Sequence, residues 1–198
     1  MTLHDEAVAL LEAWGPPDPA QDALRRRYLR VLSDDPDSMT RDGHPDHLTA
    51  STLVMSADGG RVLLTLHAKA QRWFQFGGHC EPSDATLMQA ARREAVEESG
   101  IPDLALDPVP LQLSDHAVPF CGSTGTVHHL DVRFLAVVPD HTDFAASSES
   151  LDVAWWPTHA LPDPDPDMVE LVDLAATRLE VSQSGGGASC AAADHPNR

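Results

Sequence analysis

The chain has 198 residues, of which 31 are acidic and 13 are Lys or Arg, and its formal net charge at pH 7 is −18. This charge argues against a surface for nucleic acid or anionic membranes, because such partners require clustered Lys and Arg to neutralise phosphates. We therefore expect neither nucleic acid nor a membrane as a partner. Small-molecule ligands remain compatible with this composition.

The start of the chain and its cysteines indicate a cytoplasmic protein. The first residues carry acidic side chains and lack the basic-then-apolar pattern of a secretory signal. No apolar run approaches the roughly 20 residues needed to span a bilayer. The three cysteines, Cys80, Cys121 and Cys190, are odd in number and form no pairwise metal motif. We expect reduced thiols, and we interpret Cys80 as a packed small residue rather than a nucleophile.

Residues 1–46 are predicted to form a helical extension that ends in a polar linker. Apolar side chains recur at helical spacing in two segments, with Ala7, Leu10, Leu11 and Trp14 in the first and Leu24, Tyr28, Leu29, Val31 and Leu32 in the second. Glycine and proline at 15–17 separate the two helices. The arginines at 25–27 and 30 are interpreted as a solvated face, with a phosphate-contacting or dimer-contacting patch as the alternative.

Residues 47–181 are predicted to form an α/β domain with a mixed sheet and helices on both faces. Hydrophobic runs between turn residues predict strands at 48–57, 61–68, 73–74, 104–113, 126–138 and 153–156, and a helix at 167–181. The Asp-Gly-Gly turn at 58–60 favours a hairpin between the first two strands. Residues 182–198 are small, polar and glycine-rich, so we expect a disordered tail.

The clearest strand, 126–138, has two chemically different faces. Alternate positions place apolar side chains on one face, namely Leu130, Val132, Phe134, Ala136 and Val138. His129, Asp131 and Arg133 lie on the other face.

The most informative segment is 77–101, which reads GGHCEPSDATLMQAARREAVEESGI. Glu94, Glu97 and Glu98 lie at i, i+3 and i+4, so a helix would place their carboxylates on one face. Three carboxylates so close repel one another, and near a helix C-terminus each also opposes the helix dipole by about 0.3–1 kcal/mol. A divalent cation such as Mg²⁺, which prefers oxygen ligands, would compensate for both costs.

The residues before these glutamates predict a loop followed by a helix start. Gly77 and Gly78 allow a close approach to the main chain. The turn-forming residues 82–84, which end at Asp84, provide N-cap chemistry for a helix that begins at Ala85. The predicted helix closes at Gly100 with a residue suited to the left-handed conformation.

These residues resemble the Nudix hydrolase family. The family motif, which we call the box, is a glycine, five residues, a glutamate, seven residues, Arg-Glu, an aliphatic residue, any residue, Glu-Glu, any residue, a glycine and an aliphatic residue. The matching residues are Gly78, Arg93, Glu94, Glu97, Glu98, Gly100 and Ile101. Ala95 replaces a larger aliphatic residue. Asp84 replaces the first glutamate and lies eight residues before Arg93 instead of seven, which we interpret as a one-residue shift at the start of the helix.

The resemblance covers about residues 47–181 and implies a Nudix-type α/β/α sandwich. It further implies a metal-dependent hydrolase that cleaves a phosphoanhydride bond in a nucleoside-diphosphate-linked or related small molecule. Mg²⁺ or Mn²⁺ would be held by Glu94, Glu97, Glu98 and Gly78. A homodimer would also be typical of the family.

Further residues receive roles on this basis. Arg93 is expected to pair with Glu97 or with a loop carboxylate and to hold the ligand geometry. The general base would be a box glutamate or Glu149, with His128 and His129 as weaker candidates. The set of predicted substrate contacts is His79, His129 and Asp131.

Two other functions remain open from the sequence. The first is a nucleotide-sensing domain of the same fold that binds without turnover, although such domains often lose box acids. The second is an isomerase acting on an isoprenoid diphosphate, which requires an additional reactive cysteine. Cys80 lies in the loop of the box, which is a poor position for that reaction.

Overall fold

The computed structural model describes residues 1–41, 46–118, 127–147 and 150–186. Its helices are α1 (Leu3–Ala13), α2 (Pro19–Asp34), α3 (Leu87–Ser99) and α4 (Pro166–Gly186), and a short 3-10 helix spans Pro36–Met39. Its strands are β1 (His47–Ser56), β2 (Arg61–His67), β3 (Trp73–Phe74), β4 (Phe76–His79), β5 (Gln112–Val118), β6 (Val127–Val138) and β7 (Ser150–Pro157).

The described strands form one mixed sheet. Its main order is β3-β2-β1-β6-β5, with β4 paired to β1 and β7 paired to β2. β1 and β6 run parallel, with His47 opposite His129, whereas the other strand pairs are antiparallel. The predicted mixed α/β sheet with helices on both faces is confirmed.

The two faces of the central strands bury different residues. One face of β1 and β6 contributes Leu48, Ala50, Leu130, Val132 and Phe134 to a core shared with α1, α2 and α3. On the opposite face, apolar residues at the ends of the same strands pack under α4, among them Leu53, Met55 and Leu135. The rest of this opposite face is polar. We call it the polar face and define it by His47, Thr49, Ser51, His129, Asp131 and Arg133.

The predicted N-terminal helices are present and belong to the main core. Leu11 of α1 and Tyr28 of α2 are fully buried in the cluster that includes the sheet. Trp14 donates its indole N–H to the Pro110 carbonyl at 2.8 Å. The apolar faces of α1 and α2 are therefore part of the core that includes the sheet.

The strand predicted at 104–113 is wrong. β5 begins at Gln112, and before it Leu106 makes only an isolated bridge to Ala136. Pro108 and Pro110 lie in the predicted segment, and proline has no N–H to donate to a neighbouring strand. Strand pairing therefore starts only after the second proline.

The boundary of the predicted disordered tail also differs. α4 continues through Gly186, so residues 182–186 are helical. The hydroxyls of Ser182 and Ser184 donate to carbonyls one turn earlier, at 2.9 and 2.8 Å, and the Gln183 amide donates to the Ala57 carbonyl at 3.2 Å. Local and tertiary hydrogen bonds thus extend a helix that composition alone ends at 181. Residues 187–198 lie outside the described part of the chain.

None of the helices in the described residues combines the length and apolar character needed to cross a membrane.

Candidate functional site

The loop between β4 and α3, which we call the box loop, leads into the predicted helix, but its hydrogen bonds differ from the prediction. Thr86 is the N-cap of α3, and its side chain accepts a hydrogen bond from the Gln89 N–H at 3.0 Å. Asp84, which we expected to act in the cap, instead accepts from the Glu81 N–H at 2.8 Å. The helix therefore begins two residues later than predicted, at Leu87. It ends as expected at Gly100, whose φ is +68°.

Arg93 connects the loop to the acidic end of α3. Its guanidinium donates to the His79 carbonyl at 2.9 Å and to both carboxylate oxygens of Asp84 at 3.0 and 3.2 Å. It also donates to Glu94 at 2.9 Å and to Glu97 at 3.4 Å. Partial burial disfavours the charged guanidinium, but hydrogen bonds to Asp84 and Glu94 outweigh it and raise the pKa of Arg93. Both partners that we expected for Arg93, Glu97 and a loop carboxylate, are present.

The two glycines bring the loop backbone against the helix carboxylates. A Cβ atom at Gly78 would lie 2.6 Å from Cδ of Glu94 and within 2.8 Å of both its oxygens. The Gly77 N–H donates to Glu98 at 3.2 Å. Only a residue without a side chain leaves room for the Glu94 carboxylate at this position.

The three glutamates differ in their exposure. The Glu94 side chain is 18% exposed and the Glu97 side chain is 59% exposed. Glu94 and Glu98 lie against the loop glycines, whereas Glu97 extends outward on the Arg93 side. Mg²⁺ needs only one or two carboxylates because it keeps several waters. The carboxylate oxygens of Glu94 and Glu98, which lie beside Gly77 and Gly78, are hard donors and therefore fit the divalent cation that the motif implies.

Asp131 is a buried residue of the polar face. It is 3% exposed, and its carboxylate accepts hydrogen bonds from Ser51 at 2.6 Å, Thr49 at 3.1 Å and the Arg133 Nε at 3.1 Å. Burial alone would raise the pKa of Asp131, but the Arg133 charge and these hydrogen bonds lower it. The ionised carboxylate thus organises the residues around it.

The polar face also gathers histidines. His47, His79 and His129 lie together, with ring centroids 4.9 to 5.1 Å apart. Burial and the neighbouring His47 lower the pKa of His79 to about 4, and burial and the neighbouring histidines lower the pKa of His129 to about 3. His116 adds a fourth ring, 5.5 Å from that of His129.

The structure thus brings the predicted substrate contacts His79, His129 and Asp131 onto one face, and it adds His47. The sequence analysis missed His47 because it started the first strand at 48. A signal was present, since His47, Thr49 and Ser51 alternate with apolar residues as Asp131 and its neighbours do.

Other predicted residues lie elsewhere. His128, a weaker candidate base, contacts Asp115 at 2.7 Å, and Asp115 also pairs with Arg27. Cys80 is buried, and burial raises the pKa of its thiol to about 12, in agreement with a packing role. Glu149, the candidate base outside the box, lies outside the described residues.

Comparisons with known proteins agree with this architecture. The family model described as NUDIX domain matches residues 45–175. A Nudix-family hydrolase from Clostridium perfringens is 21% identical with a TM-score of 0.52, and the match covers 69% of this chain and 97% of that chain. The E. coli dihydroneopterin triphosphate pyrophosphohydrolase is 17% identical with a TM-score of 0.55, covering 68% and 97%.

The NUDIX domain of Shewanella oneidensis NrtR, solved with ADP ribose, is 20% identical with a TM-score of 0.50, covering 67% of this chain and 87% of that chain. No curated protein sequence gave a significant match. At these identities the solved structures establish the fold, and the family model covers well over half of the chain. The chain therefore belongs to the Nudix family.

Proposed function

We propose that this chain is a metal-dependent hydrolase that cleaves a phosphoanhydride bond in a nucleoside-diphosphate-linked or related small molecule. The single observation that carries the proposal is the packing of the Glu94 carboxylate on Gly78, beside the hydrogen bond from the Gly77 N–H to Glu98. A helix and a loop that bring acidic oxygens together at a glycine backbone are suited to a hard divalent cation.

Glu94, Glu97 and Glu98, with the backbone of Gly78, would hold Mg²⁺ or Mn²⁺. When bound, such a cation neutralises part of the phosphate charge and orients a water for in-line attack. Arg93 would hold this arrangement rigid, because one guanidinium ties the loop at His79 and Asp84 to two of the glutamates. Fixed geometry of this kind lowers the entropic part of a reaction barrier.

The attacking water must transfer a proton to a base. Within the box, Glu97 is the exposed candidate, whereas Glu94 and Glu98 are partly buried. Glu149 remains the candidate outside the box. His129 is a weaker candidate, because a base with a pKa of about 3 holds a proton poorly near neutral pH.

The substrate is expected to extend over the polar face. His79 and His129 are partly exposed there and offer imidazole nitrogens to a nucleoside or sugar. Asp131 would act beneath them as a positioning residue, because its oxygens already accept bonds from Ser51, Thr49 and Arg133. The compounds named for the two relatives, dihydroneopterin triphosphate and ADP ribose, are a starting point for a substrate panel.

The test is phosphate or pyrophosphate release from a nucleotide panel with Mg²⁺ or Mn²⁺, using wild type and three variants, Glu94→Gln, Glu97→Gln and Glu98→Gln. We expect at least one variant to lose about 100-fold or more in rate, the range for a lost general base. Glu180→Gln is the matched control, since it removes the same charge from an exposed position on α4. A chelator should abolish the activity of wild type. Folded variants that all keep the full rate would contradict the proposal.

The same assay separates the two other functions. A nucleotide-sensing domain would give a binding isotherm without product. An isomerase would convert an isoprenoid diphosphate without releasing phosphate, but Cys80 is 7% exposed with a raised thiol pKa, which disfavours it as the reactive cysteine.

A further inference from the structure

The polar face brings together three imidazoles, of which two, His79 and His129, are also among the expected substrate contacts. His47 begins β1, His79 ends β4 and His129 lies in β6. β1 pairs with both other strands, so the three residues lie on adjacent strands. One potential ligand nitrogen from each ring can be chosen so that all three lie within 4.8 Å of one another.

We propose that His47, His79 and His129 form a second metal site, which binds a transition-metal ion of the zinc class through three imidazole nitrogens. Imidazole suits Zn²⁺, Cu²⁺, Ni²⁺ and Fe²⁺, whereas Mg²⁺ and Ca²⁺ prefer oxygen. Three histidines with a fourth position left for water or a ligand are one of the arrangements by which proteins bind zinc. Among the described residues, this is the group of three whose ligand atoms come this close.

Binding requires only a small contraction of the cluster. Two nitrogens that lie about 2.1 Å from a tetrahedral ion are about 3.4 Å apart. Ligand nitrogens that are now as far as 4.8 Å apart therefore have to approach each other by up to about 1.4 Å. Rotation of the His79 and His129 side chains can supply this change, because both are only partly buried, whereas His47 is 1% exposed and fixes the base of the site.

The surroundings of the cluster provide access from solvent and include a buried carboxylate. A metal binds the neutral form of imidazole, in which one ring nitrogen offers a free electron pair. The partial exposure of the His79 and His129 rings leaves a path from solvent. The ionised carboxylate of Asp131 lies two residues from His129 on the same strand face and contributes negative charge to the region.

The cluster is separate from the box carboxylates. Strand alternation directs Gly78 towards α3, where a Cβ would meet Glu94, and directs Gly77 and His79 to the opposite side, where a Cβ on Gly77 would meet Ser51. The two sites thus lie on opposite sides of β4. Arg93 links them, since it bonds both the His79 carbonyl and the Glu94 carboxylate.

The experiment titrates metal-free full-length protein, without a histidine tag, with Zn²⁺ alone, using calorimetry and elemental analysis after dialysis. Co²⁺ gives a second readout through the visible absorption of a tetrahedral ion. We expect one tightly bound ion per chain that millimolar Mg²⁺ does not displace. His79→Asn and His129→Asn should each weaken zinc binding by at least about 10-fold. Loss of a residue that only orients a metal ligand already has an effect of this size, and loss of the ligand itself should have at least as large an effect.

Two controls make the outcome specific. His159→Asn changes an exposed histidine outside the cluster and should bind zinc as wild type does. Glu97→Gln should also keep the zinc site while it affects hydrolysis, so failure of one proposal is distinguishable from failure of the other.

X-ray absorption at the zinc edge of the wild-type complex should show three imidazole nitrogens at about 2.0 Å, an assignment that needs no variant to fold. No tight zinc binding by wild type, or a zinc site without three imidazoles, would overturn the inference.

Discussion

The adjacent glycines Gly77 and Gly78 in the middle of β4 have neighbours on opposite sides of the sheet, and this decides what each substitution would do. At Gly78 the three atoms nearest to an added Cβ all belong to the end of the Glu94 side chain, which can move away. At Gly77 it would lie 2.3 Å from Cβ and 2.7 Å from Cα of Ser51, and 2.8 Å from the Ala50 carbonyl. The first contact involves a flexible group, whereas the second involves the backbone of β1.

We predict that Gly78→Ala lowers the hydrolysis rate by about 10-fold or more while it changes the free energy of unfolding by less than about 1 kcal/mol. The displaced Glu94 carboxylate would leave its place in the site, but the core would not change. Gly77→Ala should instead destabilise the fold by about 1–3 kcal/mol, because the backbone must shift. Urea unfolding and initial rates measure both effects. Equal effects of the two substitutions on both measures would contradict this assignment.

The residue scale also shows how much of the site was predictable. The motif predicted the proximity of Arg93 to the loop and to Glu97, because i, i+4 spacing on a helix fixes local neighbours. It predicted a loop carboxylate as a second possible partner but did not identify it as Asp84, because that contact depends on the path of the loop. The histidine cluster was missed for a similar reason, since strand register lies outside local sequence.

At the scale of elements, α2 covers the edge strand β5. The Gln21 amide donates to the Leu113 carbonyl at 3.0 Å and accepts from the Leu113 N–H at 2.7 Å. Tyr28 donates to the Ser114 carbonyl at 2.7 Å. The Gln21 side chain thus satisfies Leu113 backbone groups that would otherwise be unpaired at a sheet edge.

We predict that Gln21→Leu reduces the free energy of unfolding by about 2–4 kcal/mol, because it leaves two buried backbone groups of Leu113 without a partner. Gln21→Glu keeps the acceptor for the N–H and loses the donor to the carbonyl, and it also buries a charge. Both variants should therefore be less stable than wild type in urea unfolding monitored by circular dichroism. A leucine variant as stable as wild type would show that α2 does not protect this edge.

The helices and strands themselves were mostly predicted from the sequence. α1, α2, β1, β2 and β6 follow from apolar periodicity and turn residues, with boundaries that differ by one or two residues. The position of β5 was not predicted correctly, because the apolar segment before it contains prolines that prevent strand pairing. The last turn of α4 also escaped prediction, since it depends on a contact with Ala57.

At the scale of the whole molecule, a buried ionic network joins the sheet to α4. Arg133 of β6 is 3% exposed and bonds Asp131 of its own strand, Gln112 of β5 and Asp167 in the first turn of α4. Removing one partner of such a network leaves a buried charge uncompensated. The polar face is therefore ordered by the docking of α4 as well as by the strands.

This network predicts a pH dependence of stability. The folded state lowers the pKa of Asp131 below its ordinary value of 3.8, since attraction to Arg133 and hydrogen bonds outweigh burial. Its contribution is therefore fully present above pH 3.8 and is lost as the pH falls through the lowered value. Asp131→Asn should cost about 3 kcal/mol at neutral pH, and its difference from wild type should narrow at acidic pH.

Urea unfolding of both proteins at neutral and acidic pH measures this effect. Asp103→Asn, at an exposed position, is the control and should change stability by less than about 0.5 kcal/mol at either pH. A difference between Asp131→Asn and wild type that stays constant with pH would contradict the role given to this carboxylate.

The sequence by itself determined the family, the acidic helix with its loop, and the alternation of apolar and polar residues on β6. These features depend on neighbours within a few positions along the chain, where helix and strand periodicity act. Only the tertiary structure decided that His47, His79 and His129 meet and that Asp131 is buried. Those outcomes depend on strand register and on the docking of α4, which join residues as many as 82 positions apart.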